Sequence, residues 1–368
     1  MKLKKEYLQN ISTLLSSCLR APEGNRKKPT ALIAVSGLEI KRPLFLIAAG
    51  LSHAGYRVFV RADCKSLLKM GLFGRRIFSL DGVSWSPVRK DADLCLTNDT
   101  GAKYGRKRLV LDFNVFDPGT RENCEIFFPI SFHPEFLRET VIREVESLPA
   151  TGRDIKVFFA GAMDKKNYDK ADTAGLFHLL SRFSFIETVR NAFPGKVFFP
   201  ESHDELLLFL ASPDHGGRIL VCDTSRCRIP PEEWFRLLAR SEFVLSPPGV
   251  VQPYCHNTVE AMAAGAVPVM EYPQVYNPAL EDGVNCISFS GSDGLVAVLG
   301  SILSGGLDHI ALSMGRQATS YYREHLSLDS FSAEIARFME SPAVSGRLAV
   351  CQNTLSVALF RKSSGVHQ

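Results

Sequence analysis

Apolar residues in this 368-residue chain gather in short runs bounded by glycine, proline and polar side chains, and these runs alternate with longer stretches of helical spacing. That alternation predicts β-α-β units around parallel sheets covered on both faces. "TALIAVSG" reads as a strand, Arg42 to Ala54 as a helix and "YRVFVRA" as the next strand. "RRIFSL", "DLCLTN", "RLVLDF" and "EIFFPI" are further strand candidates, followed by a helix from Pro134 to Glu146. "SLPATGRD" then breaks the pattern, and the rhythm restarts. The second half predicts strands at Ile155–Ala160, "KVFFP", "RILVCD", "EFVLSP" and "AVPVME". Between them fall helices at Leu176–Ala192, Asp204–Ala211, Pro231–Ala239 and Asn257–Ala264. The expected architecture is α/β, with two Rossmann-like doubly wound domains at 1–150 and 151–340 and a C-terminal tail at 341–368 that ends polar and frays. Ligands of such sheets gather at the carboxyl ends of strands, so two halves facing each other would form a cleft. The loops that matter are "SGLE", "GAMDKK" and "PPGVVQPYCHN".

Composition sets bounds without changing this picture. At 45% hydrophobic and 22% charged the chain is ordinary globular material, long enough for two domains. Nine cysteines lack the dense spacing of a disulfide scaffold and read as reduced thiols in a cytoplasmic protein. Cys222 and Cys227 have four intervening residues and no second pair, so packing accounts for them better than a zinc knuckle. At the start, Leu8, Ile11, Leu15, Cys18 and Leu19 recur at helical spacing, as in an amphipathic helix and unlike a signal peptide. Residues 1–50 hold nine Lys or Arg against three Asp or Glu, an excess of six where the whole chain carries +4. The basic surplus therefore lies at the front. It reads either as a solvated helix face or as peripheral contact with an anionic membrane or glycolipid. Nucleic acid fits poorly, because these basic residues lack interleaved aromatics.

The richest loop precedes Glu260. Pro247, Pro248 and Gly249 allow a tight turn, and a helix expected to begin at Asn257 would present free N–H groups to a phosphate or diphosphate. Glu260 has two readings of equal weight. Asn257 as N-cap with Glu260 three residues on is an asparagine version of the capping box. Alternatively, the carboxylate accepts two hydrogen bonds from a ribose diol.

"WFRLLARSEFVLSPPGVVQPYCHNTVEAMAAGAVPV" resembles the donor-binding segment of GT-B fold glycosyltransferases, most closely the exostosin-like type. The matching residues are Leu237, Leu238, Ser241, Phe243, Leu245, Pro247, Gly249, Glu260, Ala261, Gly265, Pro268 and Val269. The match covers about forty residues and extends more weakly to "VFFAG" and "SRFSFIETV". The resemblance implies a nucleotide-sugar donor on the C-terminal domain, with Glu260 on the ribose and the loop Gly249–Asn257 on the diphosphate. Gly161 would allow close approach of the donor. Arg182, at a helix start, either faces the phosphates or lies exposed on the helix. Family members often carry a basic residue shortly before the glutamate, and His256 holds the corresponding stretch here. Tyr254 either stacks on a base or sugar or packs in its loop.

The implied activity is metal-independent transfer of a sugar to a hydroxyl of a polysaccharide or glycolipid, the nucleotide-sugar being a substrate rather than a cofactor. The leaving nucleotide's charge would be met by preorganised N–H donors. A general base for the acceptor would come from Glu39, Asp99 or His133, each just after an N-terminal strand. Asp91 and Asp93 form a DxD, but they precede the strand "LCL" rather than follow it, which suits a turn better than a metal site. The alternatives are a nucleotide-sugar epimerase of the same fold or a non-catalytic nucleotide-sugar-binding protein. No G-x-G-x-x-G follows any strand, which disfavours a dinucleotide oxidoreductase.

Overall fold

A computed structural model describes residues 28–36, 42–62, 72–86, 88–148, 152–169 and 175–364, together with Ser12. The amphipathic N-terminal stretch and Glu39 lie outside the described residues. The chain forms two compact units, Met1–Pro134 with His325–Ser364, and Glu135–Glu324. Each is built on a wholly parallel sheet with Rossmann-like winding.

In the first unit the strands are β1 (Thr30–Ala34), β2 (Arg57–Arg61), β3 (Val83–Trp85), β4 (Leu94–Thr97), β5 (Lys107–Asp112) and β6 (Ile126–Phe127). The second unit contributes β7 (Ile155–Gly161), β8 (Val197–Phe198), β9 (Ile219–Asp223), β10 (Ser241–Leu245), β11 (Val267–Met270) and β12 (Ile287–Ser288). A last strand, β13 (Ser345–Ala349), returns to the first sheet, whose order is β3-β2-β1-β4-β5-β13-β6. The second sheet runs β12-β11-β10-β7-β9-β8. β1 is buried at every position and reads as a continuous apolar run, as a central parallel strand must. β2, nearer the edge, buries only Val58 and Val60. In the second unit Val157, Phe159, Val221, Phe243, Val267 and Val269 form one core with Phe185, Val189, Leu295 and Leu299 from flanking helices. Gly265, at φ +76°, ends the helix before β11 in the left-handed conformation that glycine adopts at least cost.

Three expectations need correction. "RRIFSL" is not a strand: Leu72–Ile77 is a helix, and the chain turns directly after it. Short apolar runs do not distinguish strand from helix by periodicity, and here Arg75 and Arg76 suit the negative end of a helix dipole. The helices expected from Pro134 and Leu176 start later, at Glu139 and Arg182. At Arg182 the reason is local, because Ser181 caps the helix by accepting from the Ser184 N–H.

The third correction concerns the tail. Instead of fraying, β13 inserts between β5 and β6, and the helix Leu328–Glu340 belongs to the first unit rather than the second. Phe331 on that helix faces Gly50 so closely that a Cβ there would lie 2.5 Å from its ring, and it packs on Phe128 at 4.8 Å between centroids. Lys107 Nζ donates to the carbonyls of Phe338 (2.6 Å) and Ser341 (2.5 Å), capping the helix end that feeds β13. Among the described residues no single helix is long and apolar enough to cross a membrane.

Candidate functional site

In the second sheet β7 has β10 on one side and β9 on the other, so the winding reverses between β7 and β10. Open α/β sheets bind ligands at such a reversal, at the carboxyl ends of the strands. Gly161 and Leu245 end the two strands, and Arg182 donates to a carbonyl in each of the loops that follow.

Arg182 is the centre of that arrangement. It is the first residue of the helix Arg182–Ala192, yet it is only 7% exposed, which excludes the reading of a free surface arginine. Its Nε donates to the Pro248 carbonyl at 3.3 Å, one terminal nitrogen to the Ala162 carbonyl at 3.5 Å, and the other to Cys255 Sγ at 3.4 Å. Its guanidinium lies 4.4 Å from the ring centroid of Tyr168. All these partners are neutral, and the bonds are long. Among the described residues no carboxylate pairs with it. A buried cation held this way carries a desolvation cost of several kcal/mol that an anion would offset.

The helix His256–Ala263 supplies the second element. Its N-cap is Cys255, whose side chain makes no capping bond, so the helix start lacks the side-chain acceptor that Ser181 gives its neighbour. The amino end of a helix carries the positive end of its dipole and favours an anion, and Cys255 there also touches Arg182. Asn257 is the second residue inside the helix rather than its cap, and its Nδ2 donates 2.6 Å to the Ala160 carbonyl, joining the helix to β7. The capping box between Asn257 and Glu260 therefore does not form. His256 opens the helix and is half-buried.

Gly249 is required by its own loop: a Cβ there would lie 2.8 Å from the Gln252 carbonyl oxygen and 3.0 Å from that of Tyr254. Gln252 closes the turn, donating from Nε2 to the Tyr254 carbonyl and accepting from its N–H. Tyr254 is 2% exposed, donates its hydroxyl to the Val275 carbonyl and meets Tyr276 edge-on at 5.4 Å. It packs within its loop rather than presenting its ring for stacking on a base or sugar. Gly161 has Phe159 and an Arg182 terminal nitrogen within 3.4 Å of where a Cβ would sit, so a bare backbone is what allows the guanidinium to approach.

Glu260 also departs from expectation. It is 1% exposed, and its Oε2 accepts the Trp234 indole N–H at 2.8 Å. A carboxylate buried and bonded in this way ties its helix to the helix Pro231–Arg240 and does not stand open to a ribose diol. Sequence spacing could not reveal this, because Trp234 lies 26 residues away. Another acid, Glu271 after β11, accepts from the Leu180 and Gly291 N–H groups at 2.7 and 2.8 Å. Burial raises its pKa, and those two hydrogen bonds oppose the rise.

Two of the three acceptor-base candidates, Asp99 and His133, lie among the described residues. Asp99 is exposed and accepts from the Gly101 N–H at 2.9 Å within its own turn. His133 stands edge-on to Phe73 at 5.7 Å, and Glu39 is outside the described residues. Asp93 is consumed at the amino end of β4 by the Thr30 N–H (2.8 Å) and hydroxyl (2.9 Å). Asp91 meets Arg89 at 3.4 Å, two residues away, so among the described residues the DxD serves a turn. At the winding reversal of the first sheet, between β1 and β4, Asn98 closes the loops by accepting from the Ser36 N–H and donating to its carbonyl. The equivalent place in the second unit holds a cation instead.

No family model matches the chain, and no curated protein matches it. Solved structures of similar chain path include Anabaena HepE in complex with UDP, at 11% identity and TM-score 0.49, covering 84% of this chain and 98% of that one. A glycosyltransferase from Rickettsia africae ESF-5 is 8% identical with TM-score 0.48, over 85% and 98% of the two chains. AviGT4, a glycosyltransferase involved in avilamycin A biosynthesis, is 10% identical with TM-score 0.41, over 84% and 97%. At these values no residue role passes from them to this chain.

Proposed function

We propose that the protein is a GT-B type glycosyltransferase that binds a nucleotide-sugar on its second unit and transfers the sugar to a hydroxyl of a polysaccharide or glycolipid. The observation that carries the reading is Arg182, a buried guanidinium among neutral partners at the carboxyl ends of β7 and β10. The helix start at Cys255–His256, without a side-chain cap, lies against it and favours the same charge. The resemblance of residues 234–269 to donor-binding segments supplies the substrate class.

In this account the diphosphate lies between Arg182 and the start of the helix His256–Ala263. Gly161 and Gly249 keep the approach free of side chains, and Asn257 holds that helix against β7. As the sugar–phosphate bond breaks, charge builds on the nucleotide, and donors already oriented stabilise it without reorganising. His256 adds to that stabilisation when protonated. This mechanism requires no metal. The acceptor's proton passes to Glu39 or His133, since Asp99 is bonded in its own turn. In this reading the enzyme works in the cytoplasm, and the basic amino-terminal stretch would hold it at the inner face of the membrane where the acceptor is a glycolipid.

The test is a thermal-shift screen with UDP, GDP, CMP and their sugars, followed by incubation with labelled donor and glycan acceptors. A donor that raises the melting point and yields a transferred label supports the reading. If no nucleotide shifts the transition, the reading fails. Binding without transfer to any acceptor would favour the non-catalytic alternative.

A further inference from the structure

β11 runs parallel to β10 and ends at Met270, so the residue after it, Glu271, stands at the same edge of the sheet as the loop that follows Leu245. From this half-buried place its carboxylate reaches in two directions. Oε2 accepts from the Leu180 N–H at 2.7 Å, and Oε1 accepts from the Gly291 N–H at 2.8 Å. Gly291 opens the helix Gly291–Leu303, whose N-cap Ser290 makes no side-chain bond, and the acid meets its first N–H instead. Leu180 lies two residues before Arg182, so their Cα atoms are within about 7 Å of each other. One acid from another strand therefore grips the segment that delivers the guanidinium.

Arg182 is held weakly by its own bonds, which run from 3.3 to 3.5 Å to neutral acceptors. The bonds behind it are shorter. The Leu180 N–H meets a carboxylate, which makes that bond charge-assisted. Buried Ser181, between Leu180 and Arg182, accepts from the Ser184 N–H at 3.1 Å and donates to Asp169 Oδ1 at 2.9 Å. Just upstream, His178 has φ +54°, a left-handed backbone that residues other than glycine seldom adopt and that persists where its surroundings fix it. Buried Leu179 and the Leu180 bond to Glu271 fix the chain on its downstream side. Both oxygens of Glu271 are engaged by backbone N–H groups, so the acid orders this segment without neutralising Arg182.

We propose that Glu271 is a positioning residue for nucleotide binding, fixing the backbone at Leu180 so that Arg182 presents its guanidinium to the diphosphate, a role that rests on the proposed nucleotide site. Glu271 itself makes no contact with the ligand. With the Leu180 bond broken, the segment from His178 to Arg182 loosens, and the ligand must order it on binding, which lowers affinity.

Calorimetric titration of UDP into Glu271→Ala should give an affinity about tenfold below the parent, the strength of one charge-assisted hydrogen bond. Glu271→Gln fills the same space and keeps one acceptor, so its affinity should fall between the two, and it carries the comparison if Glu271→Ala does not fold. In an Arg182→Met background the same substitutions should change UDP affinity less than about twofold, because the group they position is gone, whereas a general loss of structure would weaken both backgrounds alike. In ligand-free protein, amide exchange at Ser184 and Phe185, whose N–H groups bond to Ser181, should become about tenfold faster in Glu271→Ala. Parent-like UDP affinity in both single variants would overturn the positioning role, as would losses that add in the double variants. Weaker binding with unchanged exchange at Ser184 and Phe185 would overturn the route through Ser181. If UDP does not bind the parent, the nucleotide reading falls, while exchange still decides whether Glu271 orders the segment before Arg182.

Discussion

Arg182 is 7% exposed with two carbonyls and a sulfur for partners, so removing it takes away an expensive charge rather than a good bond. Arg182→Met is accordingly expected to leave the melting point of the ligand-free protein unchanged or raised, in contrast to most buried substitutions. Glu260 should behave oppositely. Glu260→Ala leaves the Trp234 indole N–H buried without its acceptor, at about 1–3 kcal/mol plus the cost of the space left behind, whereas Glu260→Gln keeps an acceptor there. Chemical denaturation of the two variants checks this, and equal loss in both would contradict it. The spacing of Glu260 in the sequence suggested a ligand-binding or capping acid because only local neighbours are visible along a chain. Its real partner arrives from another helix. The significance of Arg182 was half legible: a helix-start arginine is evident, but burial depends on which loops fold over it.

Helix ends decide much of the second unit's order. Arg153 donates to the Ser241 carbonyl at 2.5 Å and the Ala264 carbonyl at 2.9 Å, serving two segment ends with one half-buried side chain whose pKa desolvation lowers. Next to it Asp154 accepts a bidentate pair from Arg240 and meets His215 at 3.2 Å, and the Arg240 bond holds its pKa below the ordinary carboxylate value. A lowered folded-state pKa means stability that is present above the unfolded value and lost as pH falls through the folded one. Asp154→Asn should therefore be less stable than the parent at pH 7, by at most about 1 kcal/mol given the partial exposure of both partners, and the gap should close below about pH 4. Thermal melts across pH test this, and a gap that widens in acid would contradict it. At this scale the strands with continuous apolar runs, β1, β4, β7, β9, β10 and β11, were legible in sequence. "RRIFSL" was not, since six residues with two arginines suit either element.

The chain crosses between its units twice, at Pro134–Glu135 and Glu324–His325, and the first sheet is complete only when β13 lies between β5 and β6. Ending the chain at Glu340 should strand β5 and β6 and abolish the first unit's unfolding transition while the second unit's survives. Calorimetry would show one transition instead of two, and two intact transitions would contradict the topology. The sequence concealed this return because "SGRLAV" is short and half polar, and its register with β5 depends on residues more than two hundred positions earlier. The two-sheet architecture itself was legible from the repeated rhythm of runs and helices. The most direct test of the central claim is calorimetric titration of UDP into the parent protein and into Arg182→Met. Saturable binding that weakens roughly 10- to 100-fold in the variant is predicted, matching the worth of charge-assisted hydrogen bonds to a phosphate. Equal affinity in both proteins, or none in the parent, would contradict a nucleotide site at the ends of β7 and β10.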